Sequence, residues 1–561
     1  MRWSGPVAIN RLAVMVLALS LMLGTGLAVS QPAVAGPWPD SLGDAVDQAE
    51  WTFLVYLDAD NNLEQAGIDD FLELSSVGST SDVSIVVQFD RRDYYADGYG
   101  DWTDTRRFYV TSGLAPWGAN GTSIGEANMG DPQTLVDFVQ WGMANYPAER
   151  YAIIIWDHGS GWSRTLAFEQ IVKSVASDDT DGDALDMPEL RSAMSILSNE
   201  GATPLDLVGF DACLMAMAEV DNELIPYAGV RVGSEEEEPW EGWPYTQVLT
   251  ALTTNPTMSA AQLGMEIVDA YYASHVSGWT QSAVDLGSAY ATINAAVDEF
   301  AAALISGLDL HLADIAAARY STQEFGYVTY VDLYDFSEKV NQHVDDATIN
   351  GAATAVMDAL DGAVIREQHG TGWPGAHGVS IYFPESELGY SSTYDGSQGF
   401  LQFTADTLWD EWLRSFYAGG AIVGPLTFDG YAVDDDDLGD SSGNDDGFAN
   451  PGETIELYVA LRNQGLGTAT GVTATLSTGD TYISGFVSGH SSYTDIPAGG
   501  TGLNLDGWSL AIDPATPDGH QVVFCLDPIL DDEGRHWTDC FDLTVAITRH
   551  VYLPQVIRQD Q

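Results

Sequence analysis

Residues 206–216 read DLVGFDACLMA and residues 152–162 read AIIIWDHGSGW. Each stretch opens with a short apolar run, as expected of a strand buried on both faces. Each run then gives way to a reactive side chain, Cys213 in the first stretch and His158 in the second. Where such strands are parallel, ligands bind outside their carboxyl ends, so thiol and imidazole fall at one edge of one sheet. A thiol attacks a carbonyl only as its thiolate and needs a neighbouring imidazole to take its proton. The two stretches together imply an α/β fold built around a nucleophilic cysteine.

Spacing sharpens this reading. His158 lies 55 positions before Cys213, an order and separation suited to a caspase-like Cys/His dyad, in which the histidine precedes the nucleophile by about 50 residues. Gly159 and Gly161 flank the imidazole and let the backbone approach a substrate closely. The N–H groups of Gly159 and Cys213 are candidates for an oxyanion hole. Asp157 either orients the imidazole or satisfies the loop backbone.

Outward from these stretches the pattern alternates strand and helix. Residues 52–57 and 83–87 read as strands, and Asp131-Pro132 caps a helix carrying Leu135, Phe138, Val139 and Met143 at helical spacing. A late strand at 378–383 and a helix at about 407–416 close the unit. Strand-helix alternation predicts a mostly parallel sheet with helices on both faces. Beyond Ala418 come an acidic run and then period-two segments such as 455–461 and 472–476, separated by glycine-rich turns, which predict a β-sandwich. The expected organisation is a signal peptide at 1–35, a linker at 36–50, an α/β domain at 51–418, a linker and sandwich domain at 419–548 and a tail at 549–561.

Composition narrows the partners. With 19 Lys+Arg against 83 Asp+Glu the formal net charge is −64, which repels nucleic acid and anionic membranes and favours cations. Arg2 and Arg11, the apolar stretch 12–27 and the Ala33-Val34-Ala35 site have the form of a cleaved export signal. No later uninterrupted apolar stretch reaches the roughly 18 residues that span a bilayer, so a secreted or cell-surface protein is expected. Of three cysteines, Cys525 and Cys540 lie close enough in sequence to pair in an oxidising compartment, which leaves Cys213 as the odd thiol.

Six ordered blocks, LVYLDADNNLE (54–64), WDHGSGW (156–162), DALDMPEL (183–190), GFDACLM (209–215), GSEEEEPWEGWPY (233–245) and HGVSIYFP (377–384), together resemble the clostripain family of cysteine peptidases. The resemblance implies a caspase-like α/β fold, His158 and Cys213 as the catalytic dyad, and endopeptidase cleavage of peptides and proteins after Arg or Lys. It also implies an S1 role for Asp211, two residues before the nucleophile, because a buried carboxylate facing a basic P1 side chain makes a charge-assisted pair. Glu241 is the second S1 candidate. The four-glutamate run 235–238 is more acidic than the family pattern requires. The competing reading is an inactive peptidase-like surface or adhesion protein whose β domain binds Ca²⁺ and an unknown partner.

No cofactor is needed for this chemistry, but Ca²⁺ is expected as a structural ion. Asp179, Asp181 and Asp183 have EF-hand spacing, yet Ala184 and Leu190 replace the glycine and glutamate of that loop. The favoured cation ligands are Asp434, Asp436, Asp440, Asn444 and Asp446 at the start of the β domain. Lys173, or failing that Arg164, lies between the dyad residues in a polar stretch and is the expected site of autocleavage.

Overall fold

In the strand that opens the α/β domain, Trp51, Phe53, Val55 and Leu57 bury against one layer and Leu54 and Tyr56 against another. A strand buried on both faces belongs in the middle of a covered sheet, and that is its place. The structure, a computed structural model, describes residues 48–546 except 164, 168–169, 173–174, 276–278, 288, 420–422, 437, 466, 485–489 and 533, and backbone alone for 165–167 and 170–172. The expected export signal and tail lie outside the described residues.

In chain order the strands are β1 (Ala49–Ala59), β2 (Val83–Arg91), β3 (Thr105–Tyr109), β4 (Thr122–Gly125) and β5 (Ala148–Trp156). Two hairpins follow, β6 (Thr165–Ala167) with β7 (Gln170–Val172) and β8 (Val175–Asp178) with β9 (Asp183–Leu185). Then come β10 (Leu205–Asp211), β11 (Ala228–Gly233), β12 (Thr280–Asp285), β13 (Glu324–Phe325), β14 (Tyr330–Asp332), β15 (Val364–His369) and β16 (Ser380–Tyr382). Nine of these form one sheet in the order β15-β12-β11-β10-β5-β1-β2-β3-β4. Its five central strands are parallel, and antiparallel strands flank them at both edges.

Helices cover both faces, as the alternation predicts. α1 (Glu64–Val77) packs on the face that buries Phe53 and Val55. On the opposite face lie α2 (Pro132–Asn145), capped by Asp131 accepting from the Gln133 N–H at 2.8 Å, and α3 (Met187–Leu197). α4 (Ala218–Leu224) joins them there, while α5 (Tyr245–Thr254) and α6 (Ala260–Ser274) complete the α1 side. α7 (Tyr290–Tyr320) is 31 residues long and apolar enough to cross a membrane by length and composition, which the sequence reading did not anticipate. Its stripe of Ile293, Val297, Phe300, Leu304 and Ile315 is buried in the core of the domain.

One expected strand is shorter and placed differently. Only Ser380–Tyr382 of the 378–383 stretch is a strand, and it joins β13 and β14 in a small separate sheet. The Ser380 N–H donates to the Ala216 carbonyl at 2.9 Å, which sets this segment beside the chain that follows Cys213.

Residues 423–545 have a core of their own. β17 (Leu426–Asp434), β18 (Thr454–Asn463), β19 (Thr473–Ser477), β20 (Ile483–Ser484), β21 (His490–Ser492), β22 (Thr501–Leu503), β23 (Trp508–Ile512), β24 (His520–Leu530) and β25 (His536–Val545) make two antiparallel sheets. In β18, Ile455, Leu457, Val459 and Leu461 are buried and the residues between them are not, the two-residue period of a strand with one face in a core. Cys525 and Cys540 face each other in β24 and β25 and are disulfide-bonded. Closing a loop of this length restricts the unfolded chain, so the Cys525→Ala/Cys540→Ala protein should lose about 3 kcal/mol from the sandwich transition in urea. An unchanged transition would show that the strand pairing alone holds this hairpin.

Candidate functional site

β5 and β10 are parallel neighbours in which Asp211 is registered against Trp156. Continuing one or two residues past that register places His158 and Cys213 at the same sheet edge, on the wall of a cavity of about 290 Å³. Gly159 explains how tightly the two turns meet. A Cβ there would collide with the Cys213 carbonyl oxygen and come within 3.0 Å of its backbone nitrogen.

His158 is oriented by a residue that the sequence reading quoted but did not single out. Its Nε2 lies 2.9 Å from Asn62 Oδ1. An amide oxygen only accepts, so Nε2 carries the proton and Nδ1 keeps its lone pair. Asp157 does not orient the ring. Its carboxylate accepts from Asn61 Nδ2 at 2.7 Å and from the Ser177 N–H, so it serves the loop. Asn61 also donates to the Ser177 carbonyl at 3.0 Å, and its own side-chain oxygen accepts from the Leu63 N–H at 2.8 Å. The turn that carries Asn62 is thereby fixed to the turn that carries His158.

Electrostatics leave both reacting groups neutral at rest. Burial pushes the Cys213 thiol up to about 12, with the charges of Glu238 and Glu237 adding to the effect. The Glu238 N–H, 3.2 Å from Cys213 Sγ, opposes it. Burial also holds the His158 ring below its ordinary value, although Asp179 pulls the other way. Sulfur attack therefore has to be accompanied by proton removal, because no standing thiolate is available.

Asp211 is buried at the base of the same cavity, where burial pushes its carboxyl up to about 6. Its Oδ2 accepts from the Tyr245 hydroxyl at 2.8 Å and the Trp243 N–H at 3.3 Å. Asp157, Glu237 and Glu238 also line this cavity, and Glu241 does not. Burial and the charge of Asp211 push the Glu238 carboxyl well above the usual range. Glu238 Oε1 accepts from Gln281 at 3.2 Å. Glu241 is exposed and lines a neighbouring depression with Glu73 and Trp279. Glu235 and Glu236 are buried and Glu237 and Glu241 are exposed, a difference that residue identity alone does not give.

The acidic residues distribute differently from the expectation for a cation. In the 434–446 segment, Asp434 Oδ1 accepts from the Asp436 N–H at 3.3 Å and Asp436 Oδ1 from the Leu438 N–H at 2.6 Å. Asp435 accepts from the N–H groups of Asp446 and Gly447, and Asp440 and Asn444 are exposed. The loop backbone thus takes up several of these carboxylates. Among the described residues, the acidic groups whose oxygens converge lie elsewhere, at Asp60, Asp90 and Glu126 and at Glu126, Asp178 and Asp181. Lys173 and Arg164, the expected autocleavage positions, lie outside the described residues.

Comparison with known proteins gives the class: the protein is a cysteine peptidase. The family model described as the clostripain family matches residues 55–416, and the chain belongs to that family. Clostripain of Hathewaya histolytica is 25% identical over 469 residues, 69% of this chain and 87% of that protein. A secreted C11 cysteine protease of Bacteroides thetaiotaomicron, solved with an irreversible peptide inhibitor, is 19% identical with a TM-score of 0.47, covering 64% of this chain and all of the other. An inactive zymogen C11 protease of Parabacteroides distasonis is 17% identical with a TM-score of 0.48, covering 65% and 99%.

The contact at Gly159 makes a direct prediction. Gly159→Ala should force the 157–160 turn off the Cys213 loop and lower peptidase kcat/KM by about a hundredfold, the scale of an ångström-sized misplacement, with the circular dichroism unchanged. Full activity in that variant would show that the turns can separate without consequence.

Proposed function

We propose that the protein is an exported cysteine endopeptidase that cleaves after Arg or Lys, with Cys213 as nucleophile and His158 as general base. The observation that carries this reading is the meeting of the two turns over one cavity floored by Asp211. As Cys213 Sγ attacks the scissile carbonyl carbon, its proton passes to the free Nδ1 of His158. The carbonyl oxygen becomes an oxyanion, for which the N–H groups of Cys213 and Gly159 are the nearest backbone candidates. His158 then protonates the departing amine, leaving a thioester on Cys213. Water, deprotonated by the same ring, attacks the thioester and releases the acid and the thiol.

The basic P1 preference rests on Asp211 and Glu238. A guanidinium or ammonium group entering their cavity supplies a counter-charge and gains charge-assisted hydrogen bonds. An apolar P1 side chain leaves the buried carboxylate uncompensated. Export is supported by the form of residues 1–35.

Digestion of a mixed peptide library, read by mass spectrometry, tests activity and P1 preference together. Cys213→Ala and His158→Ala should each abolish cleavage, because the pair acts as one unit. Asp211→Asn should lower kcat/KM for Arg and Lys substrates by roughly tenfold or more and affect apolar P1 substrates less. Turnover by Cys213→Ala, or equal losses at every P1 residue in Asp211→Asn, would overturn the corresponding assignment.

Asn62 enters as the positioning residue for His158. Its truncation to Ala frees the ring to rotate and should lower kcat by about tenfold or more while KM stays close to wild type. In wild type, kcat should rise with pH as the imidazole loses its proton, with a midpoint below the ordinary histidine value. Asn62→Asp places a carboxylate against the ring and stabilises the imidazolium, so the midpoint should move to higher pH. A midpoint that stays put in Asn62→Asp would assign Asn62 to the loop alone.

A further inference from the structure

A second cavity, of about 470 Å³, adjoins the catalytic one, and Tyr327 stands in the wall of both. Its other walls include Ser163, Val328, Tyr330, Tyr382 and Gly389. The polar ends of the two buried tyrosines are spent within the protein. The Tyr330 hydroxyl donates to the Ser160 carbonyl at 2.8 Å and the Tyr382 hydroxyl to the Gly389 carbonyl at 2.5 Å. At the mouth, Val328 is 56% exposed, and Leu388, which precedes Gly389, is fully exposed. The segments that carry them meet, since a Cβ on Gly389 would lie 3.7 Å from the Thr329 side chain. An apolar cavity with exposed aliphatic residues at its mouth, continuous with a catalytic cleft, has the form of a binding site.

We propose that this cavity receives a large apolar side chain of the substrate, from one of the first two residues after the scissile bond. The position follows from what surrounds it. Asp211 lies under the wall formed by Gly242, where a Cβ would come within 3.1 Å of its Oδ1, so the P1 side chain is drawn to that side. The second cavity opens from the turn of His158 instead. Ser163 belongs to the chain just after that turn, Tyr330 bonds to Ser160, and a Cβ on Gly161 would come within 3.1 Å of the Tyr330 ring. The imidazole hands its proton to the departing amine, so the leaving peptide lies beside it. Successive side chains of an extended chain point to opposite sides, which lets one of the first two face the cavity.

The protein then reads its substrate on both sides of the cut, by charge at P1 and by apolar burial beyond it. Assignment to the leaving peptide rests on the dyad proposed above, whereas binding of an apolar side chain in the cavity does not.

The test uses the full chain with Cys213→Ala, which leaves peptides uncut and separates binding from catalysis. Two fluorescent peptides are compared, identical except for Phe or Ser at both positions after a single arginine. The Phe peptide should bind more tightly by about tenfold, the scale of apolar discrimination in a pocket. A third peptide, with Phe before the arginine and Ser after it, should bind like the Ser peptide. Val328→Glu, added at an exposed position and checked by circular dichroism, sets a carboxylate at the mouth of the cavity and should erase the advantage of the Phe peptide. Equal binding of the Phe and Ser peptides, an advantage that survives Val328→Glu, or tight binding of the third peptide overturns the assignment. So does a Cys213→Ala protein that dimerises in sedimentation and becomes monomeric with Val328→Glu, because a second copy would then cover this face. Failure of the dyad would appear differently, as an inactive wild type whose Cys213→Ala form still separates the peptides through Val328.

Discussion

Parallel pairing of β5 with β10 is the constraint on which the site depends. Register between Trp156 and Asp211 leaves His158 and Cys213 only a turn's freedom each, and Gly159 removes most of what remains by pressing against the Cys213 backbone. The rest of the α/β domain holds that pairing in place. Helices on both faces bury the carboxyl-terminal halves of β5 and β10, and β16 braces the chain after Cys213 through the Ser380–Ala216 hydrogen bond. A reactive pair built on strand ends is more rigid than one carried by long loops.

Charge follows a second rule. Two of the acidic residues buried inside the domain receive an arginine that is itself fully buried. Arg91 meets Glu64 at 2.7 Å and Arg231 meets Asp221 at 2.6 Å, all four side chains fully buried. At the carboxyl edge of the sheet the pattern changes. Burial pushes the Asp211 and Glu238 carboxyls up, and Asp58 and Asp90 have oxygens that meet no donor. Buried carboxylates left without a protein counter-charge are costly, and Asp211 and Glu238 stand on the edge where ligands enter, which supports the proposed preference for a basic P1 side chain.

Much of this was legible from local pattern. Apolar runs of 4–6 residues announced the central strands, Asp131-Pro132 announced α2, and period-two alternation announced the sandwich, because each reflects contacts between a segment and the layer beside it. The placement of residues 378–383 and the burial of α7 were not legible. A short apolar run does not say which sheet it joins, and a long apolar helix reads alike in a core and in a bilayer.

By itself, the sequence determined the alternating α/β core, the β-sandwich that follows, and a thiol and an imidazole at the ends of two buried strands. Only the tertiary structure decided which other side chains reach them. Asn62 and His158 are 96 residues apart, and Glu238 rather than Glu241 lines the cavity with Asp211. Local periodicity records which face of an element is buried, whereas these meetings depend on how distant turns are aimed once the sheet has formed.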